Sequence, residues 1–156
     1  MMRKFRFTLE PVLDHRERIE DEKQQIFAGR QNELRAAEAE LARLNGDFKR
    51  FSTALRDDHA SLSSDELRWH YAHLEYLDRC IVMQHATITQ RRAAVDRARA
   101  DLIGASRDRK VIEKLKDKKF DEYRASVAQA EQAELDDSNN RRSNFMVRTY
   151  DSHPQA

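Results

Sequence analysis

Residues 34–69 read "LRAAEAELARLNGDFKRFSTALRDDHASLSSDELRW", and the pattern in this stretch decides the fold. Leu34, Ala37, Leu41, Leu44, Phe48, Phe51 and Leu55 alternate at spacings of three and four. Side chains so spaced share one stripe of an α-helix, and such a stripe requires a partner helix. After Leu55 the apolar rhythm lapses in a cluster of small polar residues, a turn signal. Ser63 followed by Glu66 is a capping-box pattern, in which hydroxyl and carboxylate each satisfy a free amide of a starting helix. The stretch therefore predicts a first helix over about 9–57, a turn over about 58–63 and a second helix over about 64–140, with a flexible tail over about 145–156.

The second helix carries Leu67, Leu74, Ile81, Ile88, Val95 and Leu102 at unbroken seven-residue spacing. Its companion positions, Leu77, Gln84, Arg91, Ala98, Ala105 and Ile112, read as weaker, being small or polar. Upstream, Phe5, Val12, Ile19 and Ile26 form one row and Leu13, Phe27 and Leu34 the next, interrupted at Glu20. That change of phase reads as a stutter, where the seam rotates about the helix. Thr8 or Glu10 can cap the first helix, and Pro11 fits its first turn because that amide would be unpaired anyway. No proline lies between Pro11 and Pro154, which permits very long helices. Gly104 either bends the second helix or is tolerated at ~1 kcal/mol. The expected fold class is all-α: two long helices in an antiparallel coiled-coil hairpin, the second longer, forming a single domain over residues 1–156.

A short turn makes the helices antiparallel neighbours, pairing residue i with about 122−i over a shared length of ~75 Å. Leu55 then opposes Leu67, Phe48 opposes Leu74, Leu41 opposes Ile81, and Leu34 opposes Ile88, apolar against apolar each time. Residues after about 117 are left without an intrachain partner in this register.

Composition supports helices rather than a compact globule. Charged residues make up 37% of the 156 and apolar ones 39%, with three Gly and two Pro. Disorder competes as a reading of so polar a chain. The charges nearly cancel, however, with 29 Lys and Arg against 28 Asp and Glu, and apolar residues recur at helical spacing. Global attraction to nucleic acid or anionic lipid is not expected. Cys80 is the single cysteine, which excludes an internal disulfide and suits a reducing compartment. No secretory leader and no apolar run of ~18 residues is present, so a cytoplasmic protein without membrane insertion is expected.

No catalytic constellation emerges, and neither a metal nor a cofactor is expected. Gly29, Gly46 and Gly104 cannot make a phosphate loop. His70 and His73 could share a metal, but Asp78 and Cys80 complete no ligand spacing, and exposed polar faces explain them better. Trp69, Tyr71 and Tyr76 gather just after the turn, either as a packed cap or as an exposed contact patch. Arg107–Lys119 holds seven basic and three acidic residues, either a solvated helix face or a surface for an acidic protein. No aromatic platform or groove-reading motif accompanies it, which disfavours nucleic acid.

Two phrases resemble a known family. "FRFTLEPVLDHRERIEDEKQQIFA" from Phe5 and "RKVIEKLKDKKFDEYRASVAQAEQAELDD" from Arg109 resemble the two ends of the FliJ family of flagellar export proteins. The second departs from the family's Leu-Asp-Glu at Leu135-Asp136-Asp137. The resemblance implies a non-enzymatic coiled-coil stalk, similar to the stalk subunit of rotary ATPases, at the cytoplasmic face of the inner membrane. Its partners would be the hexameric export ATPase, the export-gate membrane protein and export chaperones. The end that enters the ATPase ring would be about Phe5–Ile19 and Arg107–Leu135, with contacts expected from Arg16, Arg109, Lys110, Lys114, Leu115, Lys116, Lys119 and Tyr123. The gate surface, carried over by position, would be Leu41, Leu44, Phe48, Phe51, Tyr71, Leu74, Ile81 and His85. Several of these are also seam residues, so burial and contact compete for them. The rival readings are a generic coiled-coil scaffold or homodimerising adaptor, and the related stalk protein of virulence-type secretion.

Overall fold

The computed structural model describes residues 4–150, and the side chains of residues 4–142. Two helices account for nearly all of it: α1, Glu10–Asp58, and α2, Ser64–Tyr150. They form an antiparallel hairpin with no strand among the described residues. The chain divides into two compact units, Arg16–Asp108 and a second made of Met1–His15 with Arg109–Ala156.

In the Arg16–Asp108 unit, α1 and α2 meet along one seam. Leu44 and Leu55 are buried from α1, and Leu77, Ile88, Val95 and Ala98 from α2. Four pairs across the helices, Arg16–Asp108, Lys23–Asp101, Arg91–Glu33 and Phe51–His73, each have numbers summing to 124. On the seam itself, Gln84 bonds the carbonyl of Ala37, a pair summing to 121. Both values lie within one helical turn of the 122−i register, and the constancy of the flanking pairs shows that the register does not slip.

The expected stutter is absent. Glu20, Lys23, Phe27 and Leu34 are all at least half-buried, and Glu20, Phe27 and Leu34 continue the seven-residue row of Leu41, Phe48 and Leu55 without a change of phase, whereas Ile26 is exposed. Polar residues hold seam positions here because their apolar stems cover the groove while their heads reach its edge. Lys23 does so with its amine 4.0 Å from Asp101. The companions of α2 are also not weak. Ala98 and Ala105 are among the most buried residues, at 6% and 8% exposure, because small side chains let two helix backbones approach.

The turn follows from local chemistry. Ser63 and Glu66 form the capping box: Glu66 accepts from the Ser63 amide at 2.8 Å and its own amide donates to the Ser63 hydroxyl at 3.4 Å. Ser61 closes the end of α1 by donating its hydroxyl to the carbonyl of Asp58 at 2.8 Å. Gly104 sits inside unbroken α2, and an added methyl there would meet nothing within 4 Å, so the helix tolerates it without a break.

In the second unit, residues 4–7 form a non-helical arm leading into α1. Phe5 and Phe120 have numbers summing to 125, and Glu10 and Lys116 numbers summing to 126. Phe5 packs on Phe120 and Tyr123, which corrects the expectation of no partner there. From residue 128 to 142 every side chain is exposed. The helix nevertheless continues to Tyr150 rather than ending near 140. Asp, Ser and Asn each cost under ~1 kcal/mol in a helix, and no proline intervenes. The Arg141–Asp137 pair and a bond from Gln132 to Asp136 support that segment. The part of the expected tail beyond 150, with Pro154, lies outside the described residues.

Candidate protein-interaction surfaces

Near the turn, the residues expected to meet an export gate separate into two groups. Leu44 is 7% exposed and belongs to the seam. Leu41, Phe48, Phe51, Leu74 and Ile81 are half-buried, while Tyr71 and His85 are exposed. Apart from Tyr71, the strongly exposed apolar groups are others. Trp69, Tyr76 and Met83 stand 59%, 56% and 71% exposed. They recur every seven residues and so form one stripe on a flank of α2. Tyr71 and Val82 are exposed on the opposite flank. The aromatic cluster is therefore an open patch, not a packed cap. Sequence reasoning found Trp69 and Tyr76 but missed Met83, although its spacing from Tyr76 repeats that of Tyr76 from Trp69.

The stripe borders a groove of about 570 Å³ lined by Phe51, Leu44 and Arg43 from α1 and by His73, Cys80 and Met83 from α2. His73 fixes its geometry, with its ring stacked on Trp69 at 5.5 Å and 2°, and 4.4 Å from the ring of Phe51. Stacking of this kind orients both rings before any partner arrives. On the α1 wall Glu40, Arg43, Asp47 and Arg50 form a continuous ladder of ion pairs. The bond from Arg43 holds the Glu40 carboxyl below its ordinary range and in return raises Arg43. On the α2 wall the Tyr76 phenol is raised, chiefly by its hydrogen bond with Cys80. No group of three or more His, Cys, Asp or Glu side chains that could hold a metal ion occurs among the described residues.

The basic stretch lies mostly in the second unit, and there the acidic residues answer the basic ones. Lys116 Nζ donates to Glu10 at 2.7 Å, Arg109 to Glu113 at 2.7 Å and Lys119 to Glu122 at 2.7 Å. Hydrogen bonding by Lys119 keeps the Glu122 carboxyl below its usual range. Lys110 and Lys114 are exposed, Leu115 and Tyr123 half-buried. Arg16 belongs to the other unit, where it donates to Asp108 at 3.0 Å. The net charge counted along the sequence thus overstates how bare this surface is. It is a mesh of ion pairs, two within α2 and one, Lys116–Glu10, between the helices, with Lys110 and Lys114 at its outside.

No helix among the described residues is long and apolar enough to cross a membrane. A family model described as "Flagellar FliJ protein" matches residues 5–144. No curated protein matches. Among solved structures, a Chlamydia trachomatis chain, CT670, described as a YscO homolog, is similar at 19% identity. The likeness covers 93% of this chain and 99% of that one, at a TM-score of 0.47.

Proposed function

The chain belongs to the FliJ family of flagellar proteins, and from that premise we propose that it is a non-enzymatic stalk of the flagellar export apparatus. In this reading, the unit carrying Arg109–Tyr123 enters the hexameric export ATPase. The region near the turn meets the export-gate membrane protein, and export chaperones bind the stalk. The chain then works at the cytoplasmic face of the inner membrane without inserting into it.

The observation that carries the reading is the chemistry of the Arg109–Tyr123 surface. A stalk within a ring must exchange contacts, so deep apolar anchoring would trap it. Lys116 and Glu10 are 35% and 44% exposed in their pair. Exposed pairs of this kind contribute ~0–1 kcal/mol each, so trading an internal carboxylate for one on a ring subunit costs little. Near the turn, seam burial removes Leu44 from contact. The exposed stripe of Trp69, Tyr76 and Met83, together with Tyr71 on the other flank, is the better candidate for the gate. Large aromatic side chains of this kind dominate binding energy at protein interfaces.

Site-directed photocrosslinking tests the assignment. A photoreactive residue at Lys114 should capture the export ATPase, and one at Tyr76 the gate protein. Capture of the gate at Lys114 and of the ATPase at Tyr76 would reverse the proposed polarity.

A further inference from the structure

We propose that the N-terminal arm, residues 4–9, is a strap closed over one face of α2, and that it must leave before a partner protein engages Tyr123. The inference rests on the reading of this end as the ATPase-binding one.

Phe5 sits with its ring 5.2 Å from Phe120 in an edge-on arrangement and 5.5 Å from Tyr123. Phe7 anchors the arm, at 8% exposure. At the arm's base, Glu10 accepts from Lys116. The arm therefore presents to α2 an aromatic side chain and a carboxylate, on an aromatic pair and a lysine. A partner able to use Phe120, Tyr123 and Lys116 must bring the same chemistry, an apolar side chain flanked by carboxylates. The arm is an internal copy of that partner, so the two exclude each other.

The strap is also built to open. Residues 4–7 are not helical, and the Glu10 amide donates to the Phe7 carbonyl at 3.3 Å where the arm joins α1. Phe120 remains 43% exposed with the arm in place, which leaves an incoming side chain a foothold. Beyond it, a shallow groove of about 570 Å³ along Tyr123, Val127 and Glu131 continues the same face of α2. A partner can start there and displace Phe5 stepwise.

Two full-length variants release the strap by different routes, Phe5→Ala and Glu10→Gln. In the free protein, nitration of Tyr123 by tetranitromethane, read by mass spectrometry, should become several-fold faster in both. In a titration of ATPase stimulation, the half-maximal concentration of each variant should fall ~3–10-fold, the share of affinity that a closed state withholds. Unchanged nitration in both variants would overturn the strap. So would an unshifted or higher half-maximal concentration while the unaltered chain still stimulates. No stimulation by the unaltered chain would instead overturn the ATPase reading, and with it the strap's purpose.

Discussion

The side-chain amide of Gln84 reaches across the hairpin and donates to the backbone carbonyl of Ala37 at 2.8 Å. Ala37 is one of the buried residues of α1, so this bond joins the two helices at the seam itself. A polar group that bonds across a largely apolar seam specifies register, at some cost in stability. Gln84→Ala should lower the free energy of unfolding by about 1 kcal/mol, the usual net worth of one hydrogen bond. Gln84→Leu should match or exceed the parent, because it refills the site with apolar area. Urea denaturation of the three proteins checks both. Equal loss in the two variants would mean that the bond, and not the refilled volume, carries the contribution.

The capping box makes the turn sensitive to acid. Bonds from the Ser63 hydroxyl, and then from its amide, hold the Glu66 carboxyl below its ordinary 4.5. The folded state therefore binds this proton less readily than the unfolded one. Its contribution is fully present above pH 4.5 and is lost as pH falls through the lower, folded value. Ser63→Ala should cost about 1 kcal/mol at neutral pH, as cap removal does. The difference between parent and variant should shrink on acidification through that window. Thermal melts across pH 3–7 (roughly the range in which carboxylates titrate) measure it, and a gap independent of pH would contradict the assignment.

Near the turn, burial separates scaffold from contact. Leu44→Ala removes a seam side chain and should destabilise by about 2 kcal/mol, the low end for a buried leucine. Trp69→Ala and Met83→Ser remove exposed groups and should change stability by only about 0.5 kcal/mol. Binding to the gate protein, measured by calorimetry, should weaken for the exposed pair of substitutions. Loss of binding confined to Leu44→Ala would place the contact on the seam.

How much of this was legible in the sequence follows from the physics of each element. The helices, the turn and the capping box could be read because each rests on local rules of spacing and hydrogen bonding. The seam through Glu20 and Lys23 was misread as a stutter, since the pattern counts charged residues as breaks while their long stems pack like apolar ones. Ala98 and Ala105 looked weak because closeness of backbones, not side-chain size, determines how deeply they are buried. The placement of Phe5 on Phe120 was hidden because the 122−i register, set from the turn, puts position 117 opposite Phe5, three residues short of Phe120. Of the expected contact residues, Tyr71 and Lys114 are exposed as a contact requires. Leu44 is not, because heptad spacing by itself does not distinguish a seam from a surface.

In the proposed function, the basic face of Arg109–Lys119 engages the export ATPase. Stimulation of the purified ATPase by the full-length chain, with Arg109, Lys110, Lys114 and Lys116 reversed to Glu, tests it most directly. Lys110→Glu/Lys114→Glu serves as the variant that leaves the internal pairs of Arg109 and Lys116 intact. Stimulation should vanish with all four reversals and fall steeply with the two, while circular dichroism shows the helices unchanged. Undiminished stimulation by the fourfold variant would contradict the account.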